Sequence, residues 1–328
     1  MAAIRYAIAG QPVEHSLSPL LTALVAHHLG LPSDEKNLKM ELLSVTNLPD
    51  ALAWGYAGAF PTPVPWAYTK ANFGTFRTSA LIKKSVQAAS EVSETHPSLV
   101  PNNPSTFIPK SLLGQGLPTR MFKEEIWINL TAPLKHQLDS GAVVCLDDSM
   151  KTKSVNVLRW DGRGWWCAGV DGEGVREVLH HHGFEPSQDI LGLCGGGGGA
   201  RSTAAAWAEH QGAIRLYEGR RQLEEGSWSS SLSDREPSVV VDFDDLLCQE
   251  EMSCPVLKAA YTFMEGSVED RLKQLSKPHL DGRWLLVAQH LACWRTIWAP
   301  ERAEELPDLG LLLTRLLHAE AVLGEYAS

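Results

Sequence analysis

At 328 residues, with 44% hydrophobic and 21% charged positions, the chain has the make-up of an ordinary globular protein with room for two cores. A net charge of −10 argues against nucleic acid and anionic membrane surfaces as partners. The first ten residues lack the apolar core of a signal peptide, no run approaches the roughly 18 apolar residues of a membrane span, and the six cysteines show neither C-x-x-C pairing nor zinc spacing. The expectation is a cytoplasmic protein with reduced thiols, no metal site and no membrane contact.

Arg5 to Ala9 reads as a first strand, ended by Gly10-Gln11-Pro12. Ser18 is placed to cap a helix with Pro19 at its first position, and that helix, Leu20 to Leu29, stops at Gly30. Lys39 to Val45 reads as a second strand and Leu48 to Trp54 as a helical stretch. From Gly55 to about Arg120 prolines punctuate the chain and periodicity fades, apart from a helical stretch near Ser79 to Val92; so long a segment suggests a lid or a poorly ordered insertion. Its Trp66, Tyr68, Phe73 and Phe76 are candidates for an apolar wall of a cleft. Ile126 to Leu130 is strand-like again, and Lys135 to Ser140 is expected to begin a helix. Ser154 to Trp160 and Gly164 to Ala168 read as a hairpin around Asp161-Gly162. Gly174 to His182 is helical; the three histidines at its end suit a C-terminal cap near the helix dipole better than a metal site.

Ile190 to Cys194 is a short buried strand running into five glycines, Gly195 to Gly199, then Ala200-Arg201, with a helix expected from Ser202. Glycines between a strand and a helix let backbone N–H groups approach a pyrophosphate, and the helix N-terminus adds positive potential. Counted from Gly195, the third fingerprint position is Ala200, a variant the fold tolerates. Ala213 to Tyr217 forms the next strand, and Glu218 follows 23 residues after Gly195, where a dinucleotide fold faces the adenosine ribose. Val239 to Phe243 and Val256 to Tyr261 read as strands, and Leu285 to Trp298 and Leu309 to Leu323 as amphipathic helices.

Six segments, in order, resemble motifs of the shikimate dehydrogenase family. Glu14-His15-Ser16-Leu17-Ser18-Pro19 is similar to its H-S-L-S-P, and Asn129 to Lys135 to its N-V-T-x-P-x-K. Ser154 to Leu158 is similar to A-V-N-T-L, and Gly169 to Gly174 to N-T-D-G-x-G. Gly195 to Arg201 resembles G-A-G-G-A-x-R, and Leu286 to Gln289 resembles M-L-V-x-Q. The resemblance omits about 55–120 and implies an NAD- or NADP-dependent oxidoreductase of a small cyclic hydroxy acid such as shikimate. Quinate or another cyclic polyol is the alternative substrate, and a non-catalytic ligand sensor the alternative class.

The residues make chemical sense of this. Oxidising a secondary alcohol requires the hydroxyl proton to leave as hydride departs, and a lysine beside a carboxylate can carry that proton. Lys135 and Asp171 are the candidate catalytic pair. By resemblance, Ser16, Ser18, Thr131, Asn156, Tyr261 and Gln289 bind substrate, Tyr261 on its distance from Gln289 alone. Gly195, Gly197, Gly198, Gly199, Ala200, Arg201, Glu218 and Arg220 fall at the cofactor positions. Glu218 favours NAD, since a carboxylate accepts from a ribose 2′-hydroxyl and repels a 2′-phosphate, whereas Arg220 and Arg221 favour NADP. The family's N-A-T after the third cofactor-domain strand is here Asp242-Phe243-Asp244, and its N-R-T is Glu218-Gly219-Arg220.

The sequence thus predicts an α/β protein of two domains with the active site in the cleft between them. Residues 1–167 form an α/β substrate domain carrying the 55–120 insertion, and 168–286 a Rossmann-like dinucleotide domain. The helices of 287–328 pack back on the first domain, and the molecule is expected as a monomer or homodimer.

Overall fold

A computed structural model describes residues 3–32, 37–57, 60–68, 74–101, 107, 124–275 and 279–325. The first half is built on strands β1 (Ala3–Gly10), β2 (Leu38–Ser44), β3 (Glu124–Leu130), β4 (Val143–Cys145), β5 (Val157–Trp160) and β6 (Trp165–Ala168). They form one mixed sheet in the order β2-β1-β3-β5-β6-β4, in which β5 runs antiparallel to both β3 and β6. Helices α1 (Ser18–His28), α2 (Leu48–Ala57) and α3 (Gly74–Ser90) accompany it. Both faces of the sheet are buried, and the period of two along each strand assigns them. Ile4, Tyr6, Ile8 and Trp127 join the main core, while Ala7, Ala9, Ile126, Ile128 and Leu130 pack on Trp54 and Leu48 of α2.

Helix α4 (Asp171–His181) leads to the second sheet, β7 (Ile190–Cys194), β8 (Ala213–Tyr217), β9 (Val239–Asp242), β10 (Val256–Lys258) and β11 (His279–Leu280). This sheet is wholly parallel, in the order β11-β10-β9-β7-β8. Helix α5 (Gly198–Glu209) crosses from β7 to β8 and α6 (Val268–Gln274) from β10 to β11. The β8–β9 and β9–β10 crossovers carry only short 3-10 turns, at Ser229–Ser231 and Gln249–Glu251. One face of this sheet therefore buries only a small cluster, Val240, Cys254 and Val256.

Helices α7 (Gly282–Cys293) and α8 (Leu309–Glu325) close the chain; α7 packs on α4, and α8 on α3 and α1. A π-helical turn, Trp294–Trp298, follows α7. Its Trp298 stacks on Trp127 of β3 with ring centroids 5.3 Å apart, and Trp294 meets the same ring edge-on. Arg159 on β5 is buried; its Nε donates to Glu125 of β3 at 3.0 Å and its Nη1 to the Ile297 carbonyl at 3.1 Å. Buried charges of this kind need such pairing, because an uncompensated partner costs several kcal/mol, roughly 3–5. No helix of the described residues is long and apolar enough to cross a membrane.

Four local expectations are corrected. Ser18 lies inside α1, and its side chain does not cap the helix; Leu17 is the cap residue. The predicted helix at Lys135 is a single 3-10 turn, Leu134–His136. Helix α5 opens at Gly198, four residues before Ser202, so the glycine run supplies its first turn. The described part of 55–120 contributes to the core: Leu81, Ile82, Val86 and Ala89 of α3 are buried, facing α1 and α8, while Tyr56 and Phe60 are exposed. Trp66 and Tyr68 are buried as well, Trp66 donating from Nε1 to the Ser16 carbonyl at 2.7 Å and Tyr68 bonding Glu320. They buttress the Ser16 loop from behind and do not line the cavity; Phe73 and the side chain of Phe76 lie outside the described residues.

Candidate active site

Residues at the carboxyl ends of β1, β3 and β10 line one cavity, and the glycine turn after β7 lies against Lys135 and against Phe243 after β9; open α/β sheets place their ligands at such ends. At β1, Gly10 has φ +149°, and a Cβ there would lie 2.3 Å from Thr131 and 2.6 Å from the Ala132 carbonyl. Only glycine lets the β1 loop run against the segment after β3, where the Gln11 N–H donates to the Ala132 carbonyl at 2.8 Å. That contact brings Ser16 and Ser18 opposite Thr131 and Lys135.

Asp171 opens α4 and is buried, at the helix end whose free N–H groups favour a carboxylate. Its Oδ2 accepts from Lys135 Nζ and its Oδ1 from Asn156 Nδ2 at 2.6 Å. Asn156 is held in turn, its Oδ1 accepting from the Val170 N–H at 2.8 Å and its carbonyl accepting from the Leu130 N–H at 2.7 Å. This network joins β3, the β5 entry and α4, so the pair is preorganised by backbone from three elements.

The pair opens into a cavity of about 330 Å³ whose walls include Ser16, Ser18, Thr131, Asn156, Tyr261 and Gln289. Every substrate-binding candidate thus faces one space with Lys135 and Asp171. Ser16 and Ser18 are almost wholly buried, and Ser16 Oγ accepts from the Ser18 N–H at 3.1 Å. Tyr261 accepts on its hydroxyl from the Leu17 N–H at 3.2 Å, and burial raises its pKa above the ordinary phenol value. Gln289 reaches the cavity from α7, where it lies against Gly174 of α4.

Sequence reasoning passed over three groups here. Asn129 lines the cavity and accepts on Oδ1 from the Tyr6 hydroxyl at 2.8 Å. Cys293, pushed up to about 12 chiefly by burial, receives the Asn129 amide at 3.4 Å. His15 lies on the rim, its ring 6.5 Å from that of Tyr261. The signal for Asn129 was available: an amide inside an apolar strand must find a partner when buried. Tyr6 and Cys293 carry no such local signal.

The glycine run lies at the other side of the pair. Gly197 is the extended cap of α5, and no atom would meet a Cβ there within 4 Å. Space is thus open beside Gly197 at the α5 N-terminus, the kind of helix end that binds phosphate groups. Its neighbours are crowded by the chain itself. A Cβ on Gly196 would lie 2.2 Å from the Gln222 carbonyl, one on Gly198 2.8 Å from the Lys135 stem, and one on Gly199 2.7 Å from the Phe243 ring. Arg201 donates to the Gly196 carbonyl at 3.0 Å and to the Lys153 carbonyl at 2.8 Å, tying the turn to the first half of the chain. Buried Ala200 packs α5 on the sheet. Glu218 is exposed at the end of β8, and Arg220 is exposed beside it. The Arg220 N–H donates to Asp244 Oδ2 at 2.7 Å, and that carboxylate also lies against Gly195 and Gly219. Buried Asp242 accepts the N–H groups of Asp244, Leu246 and Leu247, which turns the chain sharply after β9.

Solved structures of shikimate dehydrogenases share this architecture. Shikimate 5-dehydrogenase from Thermus thermophilus, in complex with shikimate, matches with a TM-score of 0.56 and 17% identity over 97% of this chain and 99% of that one. The same enzyme with NADP(H) and shikimate gives 0.55 and 18% over 96% and 99%, and shikimate dehydrogenase of Mycobacterium tuberculosis gives 0.53 and 14% over 96% and 98%. At identities this low the likeness is one of fold. No protein-family model matches the chain, and no curated protein matches it.

Proposed function

We propose that this protein is an NAD(P)-dependent oxidoreductase of the shikimate dehydrogenase type, interconverting a cyclic hydroxy acid and its 3-dehydro ketone. The observation that carries the reading is the Lys135–Asp171 pair, opening into a cavity ringed by Ser16, Ser18, Thr131, Asn156, Tyr261 and Gln289. Neutral hydroxyl and amide groups in that number suit a polyhydroxylated ring, and the serine hydroxyls donate to a carboxylate without adding charge. Lys135 takes the proton from the substrate hydroxyl in oxidation and returns it in reduction. Asp171, fixed by Asn156, holds the ammonium in place and compensates its charge. A nicotinamide dinucleotide, when bound, accepts or supplies the hydride; Gly197 to Ala200 at the α5 N-terminus hold its pyrophosphate, and Glu218 meets its adenosine ribose.

The chain divides on this reading into a substrate domain (1–167), a dinucleotide domain (168–286) and closing helices (287–328). The six unpaired cysteines support a cytoplasmic setting. The molecule is a monomer or a homodimer on this reading.

A second reading, a ligand-binding relative without dinucleotide, is favoured by the Gln222 carbonyl, the Phe243 ring and the Asp244 carboxylate crowding the glycine turn. The experiment that separates the two incubates the purified protein with shikimate, or quinate as the alternative, and NAD or NADP while following absorbance of the reduced nicotinamide. Calorimetry with shikimate alone runs alongside. Turnover with either nicotinamide supports the oxidoreductase. Shikimate binding with no turnover and no dinucleotide binding supports the sensor, and neither signal overturns both.

A further inference from the structure

Two thiols outside the catalytic machinery sit side by side at the edge of the first sheet. Cys145 on β4 and Cys167 on β6 are register partners in a parallel ladder. Strands in a sheet lie about 4.7–4.9 Å apart, within the roughly 4.4–6.8 Å between Cα atoms that a disulfide spans. Register partners point their side chains to the same face of the sheet, so the two thiols are neighbours, and Cys145 Sγ also lies 3.5 Å from Asp147 Oδ1 and 3.4 Å from Ser149 Oγ. Cys167 is buried, and Cys145 is half-buried on the edge strand. The neighbouring Cys167 thiol, aided by the Ser149 hydroxyl 3.4 Å away, draws the Cys145 pKa down to about 6; burial and the charge of the Asp147 carboxylate oppose it. The Cys145 neighbour and burial raise Cys167. One sulfur is thus the better thiolate and its neighbour retains a proton, which is the asymmetry of an attacking and a resolving thiol.

We propose that Cys145 and Cys167 form a site of reversible oxidation, with a hydroperoxide as oxidant, Cys145 as the attacking thiolate and Cys167 as the resolving thiol. The Cys145 sulfur takes the terminal peroxide oxygen, the O–O bond breaks, and the departing oxygen is protonated, leaving a sulfenic acid. The Cys167 sulfur then attacks Cys145 and water leaves. In sum, two thiols and one hydroperoxide become one disulfide, one alcohol (water, for hydrogen peroxide) and one water, and an external dithiol reverses the change. The other four cysteines offer no such neighbour: burial raises Cys194, Cys254 and Cys293, and contact with Glu250 raises Cys248.

The site is tested without reference to the proposed dehydrogenase activity. At pH 6, iodoacetamide should alkylate Cys145 about tenfold faster than exposed Cys248; thiolate fraction alone predicts roughly a hundredfold, and the weaker nucleophilicity of a low-pKa thiolate removes about a factor of ten. One equivalent of hydrogen peroxide should then produce a Cys145–Cys167 cross-linked peptide, two hydrogens lighter and reversed by dithiothreitol. Cys167→Ser should stop Cys145 at the sulfenic acid, trappable by dimedone. Cys145→Ser should leave Cys167 unoxidised, so the proposal stays testable if either variant folds poorly. Equal alkylation of Cys145 and Cys248, or peroxide-treated wild type carrying a sulfinic Cys145 beside a free Cys167 thiol, would overturn it.

Discussion

The two sides of the Lys135–Asp171 pair are in different physical states. On the substrate side, short polar side chains at the ends of β1, β3, β5 and β10 and on α7 surround an open cavity, and Ser16, Asn156 and Tyr261 are each held by a backbone N–H. On the glycine side, the chain packs against itself: Gln222, Phe243 and Asp244 occupy the approaches to Gly196, Gly199 and Gly195. Of the six resembling motifs, five lie about the cavity and the pair and one, Gly195 to Arg201, on the glycine side. A motif records which residues are present, and what else the chain folds into the same space is decided elsewhere in the sequence. Here the decisive segments are 218–226, which lacks a helix of its own, and Asp242-Phe243-Asp244.

The largest test bears on the open side. Lys135→Ala should lower kcat at least about a hundredfold, the scale for loss of a general acid–base group, while shikimate binding measured by calorimetry changes less. Near-normal turnover would remove Lys135 from the proton-transfer step.

Two neighbouring glycines probe the crowded side. Gly196→Ala forces a methyl to within 2.2 Å of the Gln222 carbonyl, whereas Gly197→Ala meets nothing within 4 Å. The first should cost about 1–3 kcal/mol, in the range of overpacked sites, and the second should leave thermal stability nearly unchanged. Equal melting temperatures for the two variants would mean that Gln222 does not rest on the glycine turn.

Cofactor choice follows. Wild type should show a higher kcat/KM with NAD than with NADP, and Glu218→Ala should narrow the gap by removing the carboxylate that repels a 2′-phosphate. A wild type preferring NADP tenfold or more, about 1.4 kcal/mol, would assign control to Arg220 or Arg221. The smallest effect is expected from Asp244→Ala. It removes a negative charge beside Gly195 and frees the exposed Arg220 N–H, which water then satisfies. Dinucleotide affinity should rise a few-fold, on the order of 1 kcal/mol for one exposed charge at close range. Unchanged or weaker binding would show that this carboxylate does not hinder the ligand.

How legible the molecule was in its sequence depended on the range of the forces involved. The strands at Ile190 to Cys194 and Ile126 to Leu130 announce themselves because buried parallel strands read as apolar runs. Asp171 could be matched with Lys135 because both stand in recognisable local patterns. The 55–120 segment misled, since prolines hide the periodicity around Trp66 and Tyr68, whose burial depends on Ser16 and Glu320 far along the chain. Ser18 misled for a related reason: its Pro19 neighbour signals a helix start, but the backbone enters the helix one residue earlier.

By itself the sequence determined the alternation of elements, the glycine-rich strand-to-helix turn and the identity of the catalytic candidates. These rest on propensity, periodicity and short spacings, which act within a few residues. Only the tertiary structure decided that Asn129 lines the cavity with Tyr6 behind it, that Cys145 faces Cys167, and that Gln222 and Phe243 fill the space beside the glycines. Each of those is a contact between distant segments, set by how the two sheets and their loops share volume, and no local pattern encodes it.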